Sequence, residues 1–468
     1  MLLIAAVPAS AQTLTEAFAY AYNNNPLLLA ERAKLRATDE QVPQALSGWR
    51  PTVTFTGNAG FTRAGVEQPG VNTTGIFGQV QGPCNGPAGT TCTTPTQFAS
   101  FVNRSLDLRV TQPLYRGGQT EAQTRQAINT VHAIRAETLG VETTVLQSVA
   151  RAYLDVVRDQ TLVEVARSNE QVLKKQLDAT RDRFRVGEVT RTDVAQAESS
   201  LAQATAQRIA AEGTLEGSRA GYTHAVGHPP GRLVMPRERP VLPVSRDEAL
   251  SLAMRDNPTV IQAAFSELAA RDTVDQIRGQ LLPQISIVGD LNRSFGSSFS
   301  FRNARQDSAS ISAQLTMPLY EGGRIYAQTR AAQQAVGFQR SQLDEARRTA
   351  MQNATSSWET LHAARAAIAS FSAAVKAAQI ALEGTQQEAL VGSRTVLDVL
   401  IAEQQLFTTQ QQLVTAQHDA ALQEFNLAAV TGRLIAPHLK LPVKLYDMER
   451  HYKQVKDKWL GFGGGLKD

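Results

Sequence analysis

The strongest constraint on this 468-residue chain is that it repeats itself. Val110 to Gly118 reads Val-Thr-Gln-Pro-Leu-Tyr-Arg-Gly-Gly, and Leu315 to Gly323 reads Leu-Thr-Met-Pro-Leu-Tyr-Glu-Gly-Gly. Pro113 and Pro318 lie 205 positions apart, as do Tyr115 and Tyr320, Gly117 and Gly322, Gly118 and Gly323, Tyr153 and Trp358, Gly187 and Gly392, and Asp193 and Asp398. A run of matches at one offset marks a tandem duplication. The fold must therefore accommodate two copies of one unit.

Upstream the offset changes to 232: Asn25-Pro26 matches Asn257-Pro258, and Pro51 matches Pro283. The first copy thus holds 27 extra residues between Gly57 and Val110, within the Gly-, Thr- and Pro-rich stretch 64–99. An insertion without loss of register is the mark of a surface loop. The chain's only cysteines, Cys84 and Cys92, fall there. In an exported protein the expectation is a disulfide between them, with two separate thiols as the alternative.

Each copy offers two alternating stretches. Val53, Phe55, Gly57, Ala59 and Phe61 alternate with polar residues, as do Leu106, Leu108 and Val110. In the second copy Ile285, Ile287, Gly289 and Leu291 alternate, then Ile311, Ala313 and Leu315. Period two predicts strands of about ten residues, long enough to cross a bilayer when tilted. A soluble hairpin with one wet face shows the same alternation.

Long helical stretches follow each Gly-Gly. Leu146, Val149, Tyr153, Val156 and Val163 fall on 3-4-3-7 steps, repeated by Met351, Ala354, Trp358, Leu361 and Ile368, which are coiled-coil seams. The first stretch, 119–185, spans roughly 100 Å at 1.5 Å per residue and needs partners beside it. Short turns with Gly187 and Gly392 then reverse the chain, and Thr or Asp caps the return helix. Leu14 to Val42 reads as one helix. The organisation is a signal-peptide remnant (1–11), first repeat (12–227), linker (228–244), second repeat (245–432) and a polar tail (433–468) expected outside the repeated core.

Aromatic residues make up 6% of the chain and Ala and Gln are abundant, which suits narrow helical seams. The net charge of +4 is spread along the helices with no basic cluster among aromatics, which argues against nucleic-acid binding. No run of 18 uninterrupted apolar residues predicts a transmembrane helix. The seven histidines show no metal-ligand spacing, no phosphate loop or nucleophile motif is present, and neither enzyme chemistry nor a cofactor is expected.

Four strands cannot close a transmembrane barrel, so several chains must share one, two giving eight strands and three giving twelve. The paired Pro-Leu-Tyr-x-Gly-Gly motifs, the Asn-Pro pairs and the Val-Gly-x-x-Thr-x-x-Asp-Val turns make the chain from Leu14 to Gly432 similar to the TolC family of outer-membrane channel proteins. The resemblance implies a mixed α and β membrane fold. A homotrimer builds a 12-stranded outer-membrane β-barrel, continued by a periplasmic α-helical coiled-coil barrel. It also implies a periplasmic adaptor and an inner-membrane transporter as partners, and outer-membrane lipid around the barrel. Type I protein secretion is the expected system, with multidrug efflux as the alternative; a soluble coiled-coil scaffold is the reading of another class. The family's gate maps onto Asp398 as an acidic ring and onto Arg394 as a tether, with Thr192 and Asp193 as its partner turn. Ile401 stands where the family has a second acidic ring, and Ala389 where it has a tyrosine, which implies a single-ring, more weakly tethered gate.

Overall fold

The structure is a computed structural model. It describes every residue outside 1–11, 67–68, 72–73, 76–77, 80–90, 94–96, 237, 297–303 and 462–468; of the other residues in 64–99, and of Phe101, it describes the backbone alone. The signal-peptide remnant and the Cys84–Cys92 pairing therefore lie outside the described residues. The chain divides into two compact units, each drawing on both copies of the repeat. One comprises Met1–Pro43, Arg125–Arg271 and Ala332–Asp468; the other comprises Gln44–Thr124 and Asp272–Ala331.

In the second unit, β1 (Thr52–Val66), β6 (Gln97–Arg116), β7 (Gln284–Gly296) and β8 (Ala304–Thr316) form an antiparallel sheet in the order β1-β6-β7-β8. These strands run 13 to 20 residues, longer than the ten expected, because alternation continues into the segments bordering the loops. Short ladders pair β2 (Pro69–Val71) with β5 (Thr91–Thr93), and β3 (Thr74–Gly75) with β4 (Gly78–Gln79), inside the insertion.

Register sorts the side chains by face. Phe55, Leu108, Leu291 and Ala309 share one row, and Val53, Val110, Gly289 and Ile311 the next row on that face. The opposite face carries Thr54, Arg109, Asp290 and Ser310 in one row. Along β7 the apolar Ile285, Ile287, Leu291 and Phe295 are exposed, as is Arg293, while the residues of the opposite face are half-buried. A curved sheet shelters its concave side, so the polar face is concave and the apolar face convex.

At the helix-bearing end of the sheet, the first Pro-Leu-Tyr-x-Gly-Gly motif is clamped. Gly117 has φ +60° and lies so close to the 3-10 turn Gly279–Leu281 that a Cβ there would meet the Gly279 carbonyl oxygen at 2.3 Å. Gln119 donates from Nε2 to that same carbonyl at 3.2 Å. The second motif has no such cover among the described residues: Gly322 (φ +62°) has none of them within 4 Å of the Cβ position, and Leu319 and Tyr320 are 89% and 88% exposed.

The other unit is helical. Its elements are α1 (Leu14–Asn24), α2 (Pro26–Asp39), α3 (Gln41–Leu46, whose end enters the strand unit), α4 (Gln119–Arg185), α5 (Arg191–Val226), α6 (Arg246–Asp256), α7 (Pro258–Arg278), α8 (Arg324–Leu390), α9 (Val396–Val430) and α10 (Arg450–Val455). The single helix expected over 14–42 is broken. Asn25 is extended and its side chain accepts from the N–H groups of Leu27 and Leu28, while Pro26 starts a new helix. Proline removes a donor and disfavours helix at the residue before it, so Asn-Pro ends one helix and opens the next.

The predicted seam of α4 forms the core: Leu146, Val149, Tyr153, Val156 and Val163 are all buried, packed with Phe18, Tyr22, Tyr222 and Phe425. In α8 only Ala354 and Leu361 of the matching seam are buried. One 18-residue window of α8 has the mean hydropathy of a bilayer-crossing helix, yet no 18 residues of α8 run without a charge, and only 6% of that window is buried within one chain. The tail also departs from expectation. Leu434, Ala436 and Leu441 are buried in the main core, Ala436 N–H donates to Glu142 at 2.7 Å, and Tyr446 N–H donates to the Tyr22 hydroxyl at 3.0 Å. Leu439, Leu441 and Val443 supply the apolar surface that draws this segment onto the bundle.

Candidate channel wall and hairpin gate

The concave face of the sheet is a polar wall. Arg109 Nε lies 2.6 Å from Asp290 Oδ1 across β6 and β7, and Thr, Ser, Asn and Gln fill most of its remaining rows. Hydrophobic side chains at Leu106, Leu108, Val110, Ile311, Ala313 and Leu315 all fall on the convex face. Tyr115 pairs in register with Ile285 at the helix-bearing end, an aromatic position at the border of the apolar band.

The two hairpin turns are built alike. Gly187 and Gly392 each have φ +79°, a conformation glycine adopts without Cβ strain. Glu188 N–H donates to Arg183 O at 3.0 Å and Ser393 N–H to Glu388 O at 3.0 Å, closing the ends of α4 and α8. Both return helices open on a capping box: Thr190 with Asp193, and Thr395 with Asp398. Val396 and Leu400 pack with Leu173, Leu177, Ala197 and Ala204, so the turns of the two copies sit side by side.

Asp398 is thus a capping residue in the first instance. Its Oδ2 accepts from Thr395 N–H at 2.9 Å and from the Thr395 hydroxyl at 2.8 Å. Those bonds, then the nearby Arg394 charge, hold its carboxyl below the usual aspartate range. Within the chain Arg394 does not reach Thr192 or Asp193: its Nε donates to Glu388 Oε2 at 2.9 Å. The reversal at Gly392 lays the Arg394 stem back along the last turn of α8, where Glu388 is the nearest carboxylate. Asp193 is engaged by Thr190. Ile401 and Leu397 are exposed beside this turn, and Ala389 offers no side-chain donor.

Glu198 and Glu403 are also equivalent at offset 205. Each reaches back to the other arm of its hairpin: Arg181 Nη2 donates to Glu198 at 2.7 Å, and Gln386 Nε2 donates to Glu403 at 3.1 Å. Arg181 and Gln386 are themselves equivalent at offset 205, a match visible in the sequence only once the hairpin is assumed. Glu403 is buried with a neutral partner, and burial pushes its carboxyl up. Further along α9, buried His418 has Nε2 2.9 Å from Asp155 Oδ1 and Nδ1 2.9 Å from Asp419 Oδ1. Burial alone lowers an imidazole's pKa, but the two carboxylates outweigh it and the net direction is up.

A curved sheet, polar inside and apolar outside and open along both edges, defines a subunit of a multi-chain transmembrane channel. The chain belongs to the outer membrane efflux protein family, whose profile matches residues 19–228 and 249–433. It is 33% identical over 456 residues to the outer membrane efflux protein BepC of Brucella suis, covering 97% of this chain and 92% of that one. It is 25% identical over 431 residues to the outer membrane protein TolC of Vibrio cholerae, covering 91% of each. The fold matches that of CusC with a TM-score of 0.74 at 16% identity, over 90% of this chain and 92% of the other. This is an outer-membrane channel protein, and the soluble-scaffold reading is set aside.

Proposed function

We propose that three copies of this chain form the outer-membrane exit duct of a tripartite export system, working with a periplasmic adaptor and an inner-membrane transporter. The observation that carries this reading is the pair of open sheet edges. β1 and β8 lie at the two ends of the sheet, 15 and 13 residues long, each with one side outside the ladder. In lipid every backbone polar group needs a partner, so these edges must be paired. Because β1 and β8 run in opposite directions, β8 of one copy pairs antiparallel with β1 of the next, and three copies give twelve strands. The uncovered second motif supports the same contact, since it needs the cover that Gly117 receives from Gly279.

By threefold repetition Asp398 becomes a ring of carboxylates that attracts cations. Arg394 exchanges Glu388 for the Thr192 or Asp193 turn of a neighbouring helix when the gate is closed. One exposed pair contributes about 0–1 kcal/mol, so closure rests on the sum of symmetric ties and is released by a partner that binds the open form better. For cargo, the 33% identity to an outer membrane efflux protein favours small-molecule efflux, and type I protein secretion is the second reading. Deleting the gene and assaying drug sensitivity beside the secreted proteome separates them. Efflux predicts hypersensitivity with secretion intact, secretion predicts the reverse, and no change in either overturns the export reading.

A further inference from the structure

The convex face of the sheet is apolar until its loop-bearing end, where it carries a cluster of charge. Arg104 on β6, Arg293 on β7, and Arg305 and Asp307 on β8 all lie on the same face as Leu108, Leu291 and Ile311. Counting from the prolines at the helix-bearing end (Pro113, Pro283 and Pro318), Arg104, Arg293, Asp307 and Arg305 stand 9, 10, 11 and 13 residues along their strands. A tilted strand crosses the hydrocarbon in about 9–11 residues. The cluster therefore emerges at the far rim of the apolar band, alongside Phe295 in the register row Arg104–Phe295–Arg305.

Its internal pairing leaves charge over. Asp307 takes Arg293 Nε at 2.8 Å on one oxygen and Arg305 Nε at 2.9 Å on the other. Three guanidiniums against one carboxylate leave a net charge of +2 per chain. Each guanidinium carries five N–H donors in a plane, so one shared carboxylate leaves donors on both arginines unspent. Side chains of Arg293 and Arg305 remain half-exposed. Neutral polar residues, which fill the concave face, would end an apolar band at less cost. Arginine is the side chain whose fork matches phosphate oxygens two at a time.

We propose that Arg104, Arg293 and Arg305 form a binding site for the phosphate groups of outer-leaflet glycolipid, with Asp307 holding two of the guanidiniums in place. The proposal rests on the outer-membrane channel reading, which fixes the helix-free end of the sheet as the outer-leaflet side. The site commits the barrel to the outer leaflet at a set depth, since the ligand exists on that side alone.

Full-length protein purified from outer membranes and stripped of lipid tests this by native mass spectrometry. It is titrated with bisphosphorylated lipid A, dephosphorylated lipid A and phosphatidylethanolamine. The bisphosphorylated form should bind at least tenfold more tightly than the dephosphorylated form. R104Q/R305Q, which keeps the Arg293–Asp307 pair, should reduce that preference to below threefold. R104Q alone, for use if the double variant does not assemble, should reduce it about threefold. Equal binding of the three lipids, or an unchanged preference in R104Q/R305Q and in R104Q, overturns the proposal. Loss of the oligomer from the wild-type outer membrane would overturn the channel reading instead, so the two failures are distinguishable.

Discussion

Four glycines test how the copies meet. Gly117 (φ +60°) and Gly118 (φ +74°) both occupy the left-handed region, but only Gly117 is crowded, by the Gly279 carbonyl at 2.3 Å and the Leu282 Cβ at 2.8 Å. Gly118→Ala therefore carries backbone strain alone, about 1–2 kcal/mol. Gly117→Ala adds an overpacking cost of about 1–3 kcal/mol, for roughly 2–5 in all. Gly322 (φ +62°) and Gly323 (φ +81°) are both open within one chain, so a lone subunit predicts equal, strain-only effects for the two. Repetition of the contact between chains predicts otherwise: the offset of 232 places Ser47 of the partner subunit where Gly279 sits against Gly117. Gly322→Ala should then match Gly117→Ala, and Gly323→Ala should match Gly118→Ala. The assay is the temperature at which the oligomer dissociates on heat-modifiability gels. Equal midpoints for Gly322→Ala and Gly323→Ala would refute the repeated contact.

Further expectations follow the same geometry. Leu108→Arg or Leu315→Arg should cost roughly 2–4 kcal/mol near the bilayer midplane and lower the yield of membrane oligomer, whereas Gln314→Arg on the polar face should be tolerated. In planar bilayers Arg394→Ala should raise conductance and Asp398→Ala should weaken block by multivalent cations; parental behaviour in both would remove the gate assignment. Because the Thr395 bonds hold Asp398 below the ordinary aspartate range, block by cations should persist as pH falls through that range. His418 is raised above its unfolded value, so its contribution to stability is full below about pH 6.5 and is lost as pH rises through the folded value. Thermal midpoints measured against pH should show that loss in the parent and not in His418→Gln; parallel curves would contradict it.

The duplication and the alternation exposed the strands, the two long helices of each copy and the capped turns, because each is a local pattern written twice. Less visible was what depends on a partner element. The break at Asn25 was hidden by apolar periodicity that continues through Leu27 and Leu28, although Pro26 carried the signal. The docking of 434–446 was hidden because a few apolar residues spaced along an irregular segment show no period. Arg394 pairs with Glu388 rather than with the first hairpin because one chain decides which carboxylate is nearest, and family likeness speaks to an assembled ring. The charged rim around Asp307 sits on a face whose alternation reads as apolar from its lower rows alone.

Closure of the barrel is the central claim, and cross-linking between its open edges tests it most directly. Transferring the Leu108–Leu291 pairing by the two repeat offsets places Ala313 opposite Ala59 of the partner subunit. With Cys84 and Cys92 replaced by serine, the double variant Ala313→Cys/Ala59→Cys is treated in outer membranes with a short bismaleimide and run on denaturing gels. A closed ring of three predicts covalent dimers and trimers and nothing larger, with neither single-cysteine variant giving a trimer. Monomers alone, a ladder that stops at the dimer, or one that runs past the trimer would contradict it.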